Sequence, residues 1–264
     1  MTEPALITLS AEGLASARAL RAALGEGSLH CHRSVPADDA EPFERMAELL
    51  AQMWPVRRRM VLFAPTGAVV RALAPLLRSK HTDPAVVVAD VRARWAIPLL
   101  SGHEGGANAL ALAVANALGA EPIVTTTTEA VKDLIVGIGC RRGEAPEPIL
   151  AAVREALARA ALPLERVRLL ASAELKAREP GLLEAAQRLG LPLRFISCAD
   201  IRHSPLAFSP SPAAQRQLDL PGVAEPAALL AGRRTRLVLP RTVVQGVTVA
   251  LAQETWAKPE ENPS

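Results

Sequence analysis

The sequence predicts an α/β protein of two α/β domains, each with a mostly parallel sheet flanked by helices. Three observations carry that expectation: short apolar strands alternate with helical periods, a second such series follows a brief polar interruption, and 264 residues suffice for two ordinary domains. The first series reads as strand Ala5 to Leu9, helix Gly13 to Leu24, helix Phe43 to Met53, strand Arg59 to Ala64 and helix Ala68 to Leu77. It continues with strand Ala85 to Asp90, strand Trp95 to Leu99, helix Gly105 to Leu118, ended by Gly119, and strand Pro122 to Thr126. The polar interruption spans Glu129 to Asp133. Beyond it come strand Leu134 to Gly139, helix Pro146 to Ala160, strand Val167 to Ala171, helix Pro180 to Leu189 and strand Leu193 to Ile196. Helix Val223 to Ala231 and strands Leu237 to Leu239 and Gly246 to Leu251 complete the series, with Pro205 to Pro212 as a rigid proline loop. The expected domains are therefore 1–130 and 131–255, followed by a tail at 256–264 whose end from Lys258 is frayed.

Composition excludes several classes of function. Half of the residues are hydrophobic and 22% are charged, as in a globular protein. The net charge is only +3, the arginines are scattered, and there is no Tyr beside three Trp and four Phe, so base-stacking platforms are scarce and no nucleic-acid partner is expected. The first ten residues lack a secretory pattern and no apolar run is long enough to span a bilayer, which predicts a cytoplasmic protein without a membrane partner. Cys31, Cys140 and Cys198 are odd in number and far apart, as reduced thiols are.

The most informative stretch is Ser101-Gly102-His103-Glu104-Gly105-Gly106-Ala107-Asn108, a strand-to-helix loop. It combines a group that titrates near neutrality with a carboxylate, so His103 and Glu104 form a candidate acid–base pair. The N–H groups of Gly105, Gly106 and Ala107 are expected as unpaired donors of a first helical turn, which favours a carboxylate, a phosphate or a developing oxyanion. Threonines 125 to 128 line the end of the next expected strand, although threonine is also simply a good strand former.

Gly137-Ile138-Gly139-Cys140-Arg141-Arg142-Gly143 suggests a dinucleotide loop, but its third glycine comes one residue late and no ribose-binding acid follows the next strand. Arg141 and Arg142 suit carboxylates better, because guanidinium forks bind them in bidentate fashion. A glycine turn with two solvated arginines is the plainer alternative. His30-Cys31-His32 offers zinc-type ligands, yet in a strand residue 31 faces away from residues 30 and 32, so no metal is expected there. Lysine occurs only at 80, 132, 176 and 258, and Lys176 with Glu179 falls in a strand-to-helix loop that could equally face solvent.

Taken in order, Thr66-Gly67 with Arg71, Ser79-Lys80, Asp83 to Val86, Pro98 to Asn108 and Thr125 to Glu129 resemble the amino-terminal half of cobalt-precorrin-5A hydrolase, the CbiG family. Val136 to Gly143, Leu175-Lys176 with Glu179, Pro221 to Glu225 and Gly246 to Ala250 resemble its carboxyl-terminal domain. The resemblance implies a hydrolase acting on carbon–carbon bonds in the anaerobic route to cobalamin. It opens the δ-lactone of cobalt-precorrin-5A and releases acetaldehyde to give cobalt-precorrin-5B. The substrate is a cobalt corrinoid that carries its own metal, so no cofactor is implied, and other enzymes of the route are candidate partners. On this reading His103 and Glu104 are catalytic, while Ser101, Gly105, Gly106, Asn108, Thr126, Gly139, Arg141, Arg142, Lys176 and Glu179 bind substrate. The chain departs from the family pattern in lacking the usual middle segment, since Thr128 runs almost directly into Leu134, and in having Pro240-Arg241 where lysine is usual. A non-catalytic corrinoid-binding protein and an ordinary nucleotide-binding α/β protein are the alternatives.

Overall fold

The computed structural model describes residues 3–255. The expected tail at 256–264 lies outside them. Two compact units divide the chain between Thr126 and Thr127.

In the first unit the strands are β1 (Ala5–Thr8), β2 (Ser28–His32), β3 (Glu41–Phe43), β4 (Arg59–Phe63), β5 (Ala85–Ala89), β6 (Trp95–Leu100) and β7 (Glu121–Pro122). They lie in the order β3-β2-β1-β4-β5-β6-β7. Every pairing is parallel except β5 with β6. Helices α1 (Ala11–Leu24) and α4 (Ala107–Leu118) cover one face, packing Leu14, Leu20, Ala111 and Val114 onto Leu6, Val61 and Val87. Helices α2 (Met46–Met53) and α3 (Thr66–Leu73) cover the other with Leu50, Met53, Val69 and Leu73. All five residues of β5 are buried, as expected of a strand covered on both faces. Helix α1 starts where the Ser10 hydroxyl accepts the Gly13 N–H and stops at Gly25 in the left-handed region.

Some expected boundaries move for local reasons. The helix expected from Phe43 begins at Met46, because residues 41–43 add an edge strand to β2. The helix expected over Ala68 to Leu77 starts at Thr66 and tightens into a 3₁₀ turn at Ala74–Leu76, where Pro75 has no N–H to give. The strand expected over Pro122 to Thr126 is confined to Glu121–Pro122, and the short helix α5 (Thr127–Ala130) follows in the second unit.

The reversal at β6 decides where the Ser101 loop lies. Leu100 pairs with Val86 near the start of β5, so the end of β6 meets the amino ends of β4 and β5 rather than their carboxyl ends. Because β7 runs parallel to β6, the stretch up to Thr126 emerges at that same edge.

The second unit has β8 (Leu134–Gly139), β9 (Val167–Ala173), β10 (Leu193–Ile196), β11 (Thr235–Val244) and β12 (Val247–Glu254), ordered β10-β9-β8-β12-β11. The three strands β8 to β10 are parallel, and the β11–β12 hairpin is added antiparallel, so this sheet is evenly mixed. On one face α6 (Pro146–Arg159) and α7 (Pro180–Leu189) bury Ile149, Val153 and Leu182. On the other lie α10 (Ala224–Leu230) and α8 (Cys198–His203), the latter, like α9 (Pro212–Leu218), not anticipated from the sequence. Gly137 is required here: a Cβ at that position would sit 1.9 Å from the Ala224 carbonyl oxygen, so only glycine lets α10 approach β8 this closely.

Candidate functional site

In the first unit the loop after β6 is wound on its own backbone. Ser101 is buried in the left-handed region at φ 56°, and its hydroxyl donates to the Asp83 carbonyl at 2.9 Å. Its own carbonyl accepts the N–H groups of both Gly105 and Ala107 at 3.1 Å, and the Gly102 carbonyl accepts that of Asn108 at 2.9 Å. Two of the three donors expected to be open, Gly105 and Ala107, are therefore spent inside the loop. The sequence offered no sign of this, because it depends on the positive φ of a non-glycine residue. Among the described residues no acceptor is bonded to the Gly106 N–H, and Gly106 caps α4 at φ 84°. Gly105 is indispensable to the winding, since a Cβ there would lie 2.3 Å from the Ser101 Cβ.

Asn108 and Thr126, 18 residues apart, are brought together: the Asn108 amide donates to the Thr126 hydroxyl at 2.9 Å, and among the described residues nothing donates to the buried Asn108 Oδ1. His103 and Glu104 are adjacent in sequence but do not pair. Glu104 is held by Lys80, with Nζ 2.7 Å from Oε1, and this hydrogen bond keeps its carboxyl below the usual glutamate range. His103 is exposed and its ring has no bonded partner among the described residues. The loop bearing Lys80 is itself fixed by Asp83, whose Oδ2 accepts the N–H groups of Arg78 and Ser79 at 2.9 and 3.1 Å. Lys80 and Asp83 were absent from the expected site. The rarity of lysine and the family motif at Ser79-Lys80 were the signals that marked Lys80.

In the second unit the carboxyl ends of β8 and β9 carry the other expected residues. Gly139 ends β8 against Val223, whose Cβ would be 3.3 Å from a Cβ on the glycine. Arg141 is exposed and reaches Glu144 at 3.3 Å, over the Gln245–Gly246 turn of the hairpin. Arg142 is exposed, with no bonded partner for its guanidinium among the described residues. Lys176 and Glu179 are not in a solvent-facing loop. Both are buried, with Lys176 Nζ 3.3 Å from one Glu179 oxygen, while the other accepts the Gly143 N–H. Burial pushes the Glu179 carboxyl up, but the Gly143 N–H and the Lys176 ammonium outweigh it and leave it below its ordinary value. Cys140 beside them is driven the other way, its thiol pushed up to about 11 by burial.

The strand geometry of His30-Cys31-His32 is the expected alternating one: Cys31 packs in the α1 and α4 core, and His30 lies on the opposite face beside Glu41. Among the described residues no three His, Cys, Asp or Glu side chains are grouped to hold a metal ion. Nor is any of their helices long and apolar enough to cross a membrane.

Comparison with known proteins places these motifs. The family model described as "Cobalamin synthesis G N-terminal" matches residues 48–129 and that described as "Cobalamin synthesis G C-terminus" matches residues 134–252. The chain is 41% identical over 128 residues to cobalt-precorrin-5A hydrolase of Salmonella typhimurium, 47% of this chain and 36% of that protein. It is 43% identical over 94 residues to the protein of the same name from Priestia megaterium, 36% of this chain and 25% of that one. With Protein CobE of Sinorhizobium sp it shares 36% identity over 128 residues, 48% of this chain and 83% of that protein. The matches to the two hydrolases thus span about a third and a quarter of their lengths. With both halves of the family matched in order over most of the chain, it belongs to the cobalamin synthesis G family, CbiG.

Proposed function

We propose that the chain opens the δ-lactone of cobalt-precorrin-5A by hydrolysis and releases acetaldehyde, giving cobalt-precorrin-5B. Water adds to the lactone carbonyl and the acyl C–O bond breaks, leaving a carboxylate on the ring and a hydroxyl on the carbon that bears the methyl group. That hydroxyl gives up its proton as its C–O bond becomes C=O. The carbon–carbon bond to the macrocycle breaks, its electron pair stays with the ring, and the ring takes up a proton. Cobalt enters and leaves as part of the substrate.

The exposed imidazole of His103 is the observation that carries this reading. It is the one imidazole of the Ser101–Asn108 loop, it is accessible, and imidazole is the side chain most often used as a general base. Glu104, held ionised by Lys80, supplies negative charge next to the imidazolium that forms. Gly106, whose N–H remains open, is the donor for the tetrahedral oxyanion; Gly105 has no such capacity left. In the second unit Arg141 and Arg142 bind acetate and propionate arms, and Lys176 with Glu179 holds the Gly143 loop that presents them.

The test is acetaldehyde release from cobalt-precorrin-5A by the purified chain. Release by the native protein and its loss in His103→Ala are the expected results. Undiminished release by His103→Ala would remove that assignment. Corrinoid binding without any acetaldehyde would favour a non-catalytic binding protein.

A further inference from the structure

Glu225, the second residue of α10, is 1% exposed, and no cation is in ion-pair contact with it among the described residues. Its two oxygens instead take backbone N–H groups from segments 16 residues away in either direction. Ser209 donates to Oε2 and Arg241 to Oε1, each at 2.6 Å. Two N–H donors converging on two oxygens require a carboxylate. A glutamine in its place would turn an NH₂ toward one of them. The two bonds also outweigh the effect of burial, so the group stays ionised.

What this carboxylate fixes is more telling than how it is satisfied. Ser209 belongs to residues 204–211, the proline-braced segment after α8, whose Ser211 N–H is tied to the Pro221 carbonyl at 2.8 Å and whose Leu206 is 45% exposed. Arg241 sits in the irregularity of β11 between Leu239 and Thr242. Its guanidinium has no bonded partner among the described residues, although Glu225 feels its charge. One buried carboxylate thus sets both an exposed apolar finger and an unpaired guanidinium. Those are the two chemistries that a macrocycle with apolar faces and carboxylate arms demands. We infer that Glu225 is a positioning residue for corrinoid binding, holding the Leu206 segment and Arg241 in the arrangement that receives the ligand. The inference rests on the corrinoid reading above and adds Arg241 and Leu206 to its contacts.

Cobyrinic acid, a stable cobalt corrinoid with free carboxylate arms, serves as the probe in calorimetric titrations of the full chain. The native protein should bind it, and Glu225→Gln and Arg241→Gln should each weaken binding about tenfold. The double variant should fall within about threefold of the weaker single one, because both act through one arrangement. Asp133→Asn is the matched control. It disturbs a buried carboxylate before β8, at the opposite edge of the same sheet, where Arg166 and Gln253 hold it, and should lower Tm without weakening binding. Unchanged affinity in Glu225→Gln, independent effects multiplying to about a hundredfold, or equal weakening in Asp133→Asn would each overturn the inference. Should Glu225→Gln fail to fold, Arg241→Gln and Leu206→Ser decide, and native affinity in both overturns it. Absence of binding by the native chain would instead sink the corrinoid reading and the inference with it, whereas binding without acetaldehyde release would count only against the lactone chemistry.

Discussion

The loops after β6 and after β8 both carry glycines and both abut a lysine–glutamate ion pair, but they use it in opposite ways. In the first unit the Lys80–Glu104 pair stands in solvent, with side chains 66% and 36% exposed, and the loop is shaped by its own peptide groups. In the second the Lys176–Glu179 pair is 11% and 8% exposed, and a carboxylate rather than a carbonyl holds the loop. An exposed pair contributes little to stability but leaves its neighbours free to meet a substrate. A buried pair holds shape and has no freedom to react. On the proposed reading chemistry belongs to the first loop and architecture to the second, and each prediction below can break that division.

Removing the imidazole should give the largest effect. His103→Ala is expected to slow acetaldehyde release by about a hundredfold or more, the usual loss for a general base, with little change in Tm because the ring is exposed and has no bonded partner among the described residues. If Lys176→Met slowed the reaction as much while leaving the second unit equally stable, the assignment of roles would have to be exchanged.

The second unit should show its largest effect in stability. Glu179→Ala strands the Lys176 ammonium in a buried site and frees the Gly143 N–H, at a cost of roughly 3 kcal/mol. In calorimetry this should appear as a fall on the order of 10 °C in the transition of the second unit, with the first unit unmoved. A fall of less than about 2 °C would show that the buried pair is not what holds the loop.

The two loops also differed in how far the sequence revealed them. The strand-loop-helix context of both was legible, because apolar runs such as Trp95 to Leu100 and Leu134 to Gly139 leave little choice of element. So was the alternation of His30-Cys31-His32. The direction of β6 was not, since a strand's neighbour and orientation depend on pairings such as Leu100 with Val86 that no local pattern records. Nor could the sequence show that Ser101 would adopt a positive φ and consume the Gly105 and Ala107 donors, or that Glu104 would prefer Lys80, 24 residues away, to His103. Glu225 was visible only within a family motif, because its two acceptors are matched by partners 16 residues off on either side.

Acid should separate the units by a smaller margin. His30 is 2% exposed on the α2 and α3 face, with Nδ1 3.2 Å from Glu41 and with Arg57 and Glu3 nearby. Burial lowers its pKa from 6.5, and this outweighs the pull of Glu41. Between the lowered folded value and 6.5 the unfolded chain binds more protons than the folded one, so the first unit should lose stability as pH falls below 6.5. The depressed carboxyls of Glu179 and Glu225 behave in the other range. Their contribution is complete above the unfolded value of 4.5 and is lost only as pH falls through their folded values. Calorimetry from pH 7.5 down to 5 should therefore move the first transition and spare the second, and His30→Gln should remove the slope. A second transition that moved first would contradict the assignment.

The smallest expected effect is the most discriminating for the exposed loop. Lys80→Ala removes an ion pair that solvent already screens, so Tm should barely change, and the change should vanish in high salt. Its effect on the reaction is different in kind. Without Lys80 the Glu104 carboxylate acts unshielded on the His103 imidazolium that forms, so on the proposed reading the acid limb of the pH–rate profile should move to higher pH. Glu104→Gln, which carries no charge, should make that limb indifferent to Lys80→Ala, and this non-additivity separates an electrostatic role beside His103 from a merely local contact. An acid limb that stayed fixed in Lys80→Ala would place its origin elsewhere and leave the ion pair as surface decoration, however short its 2.7 Å contact.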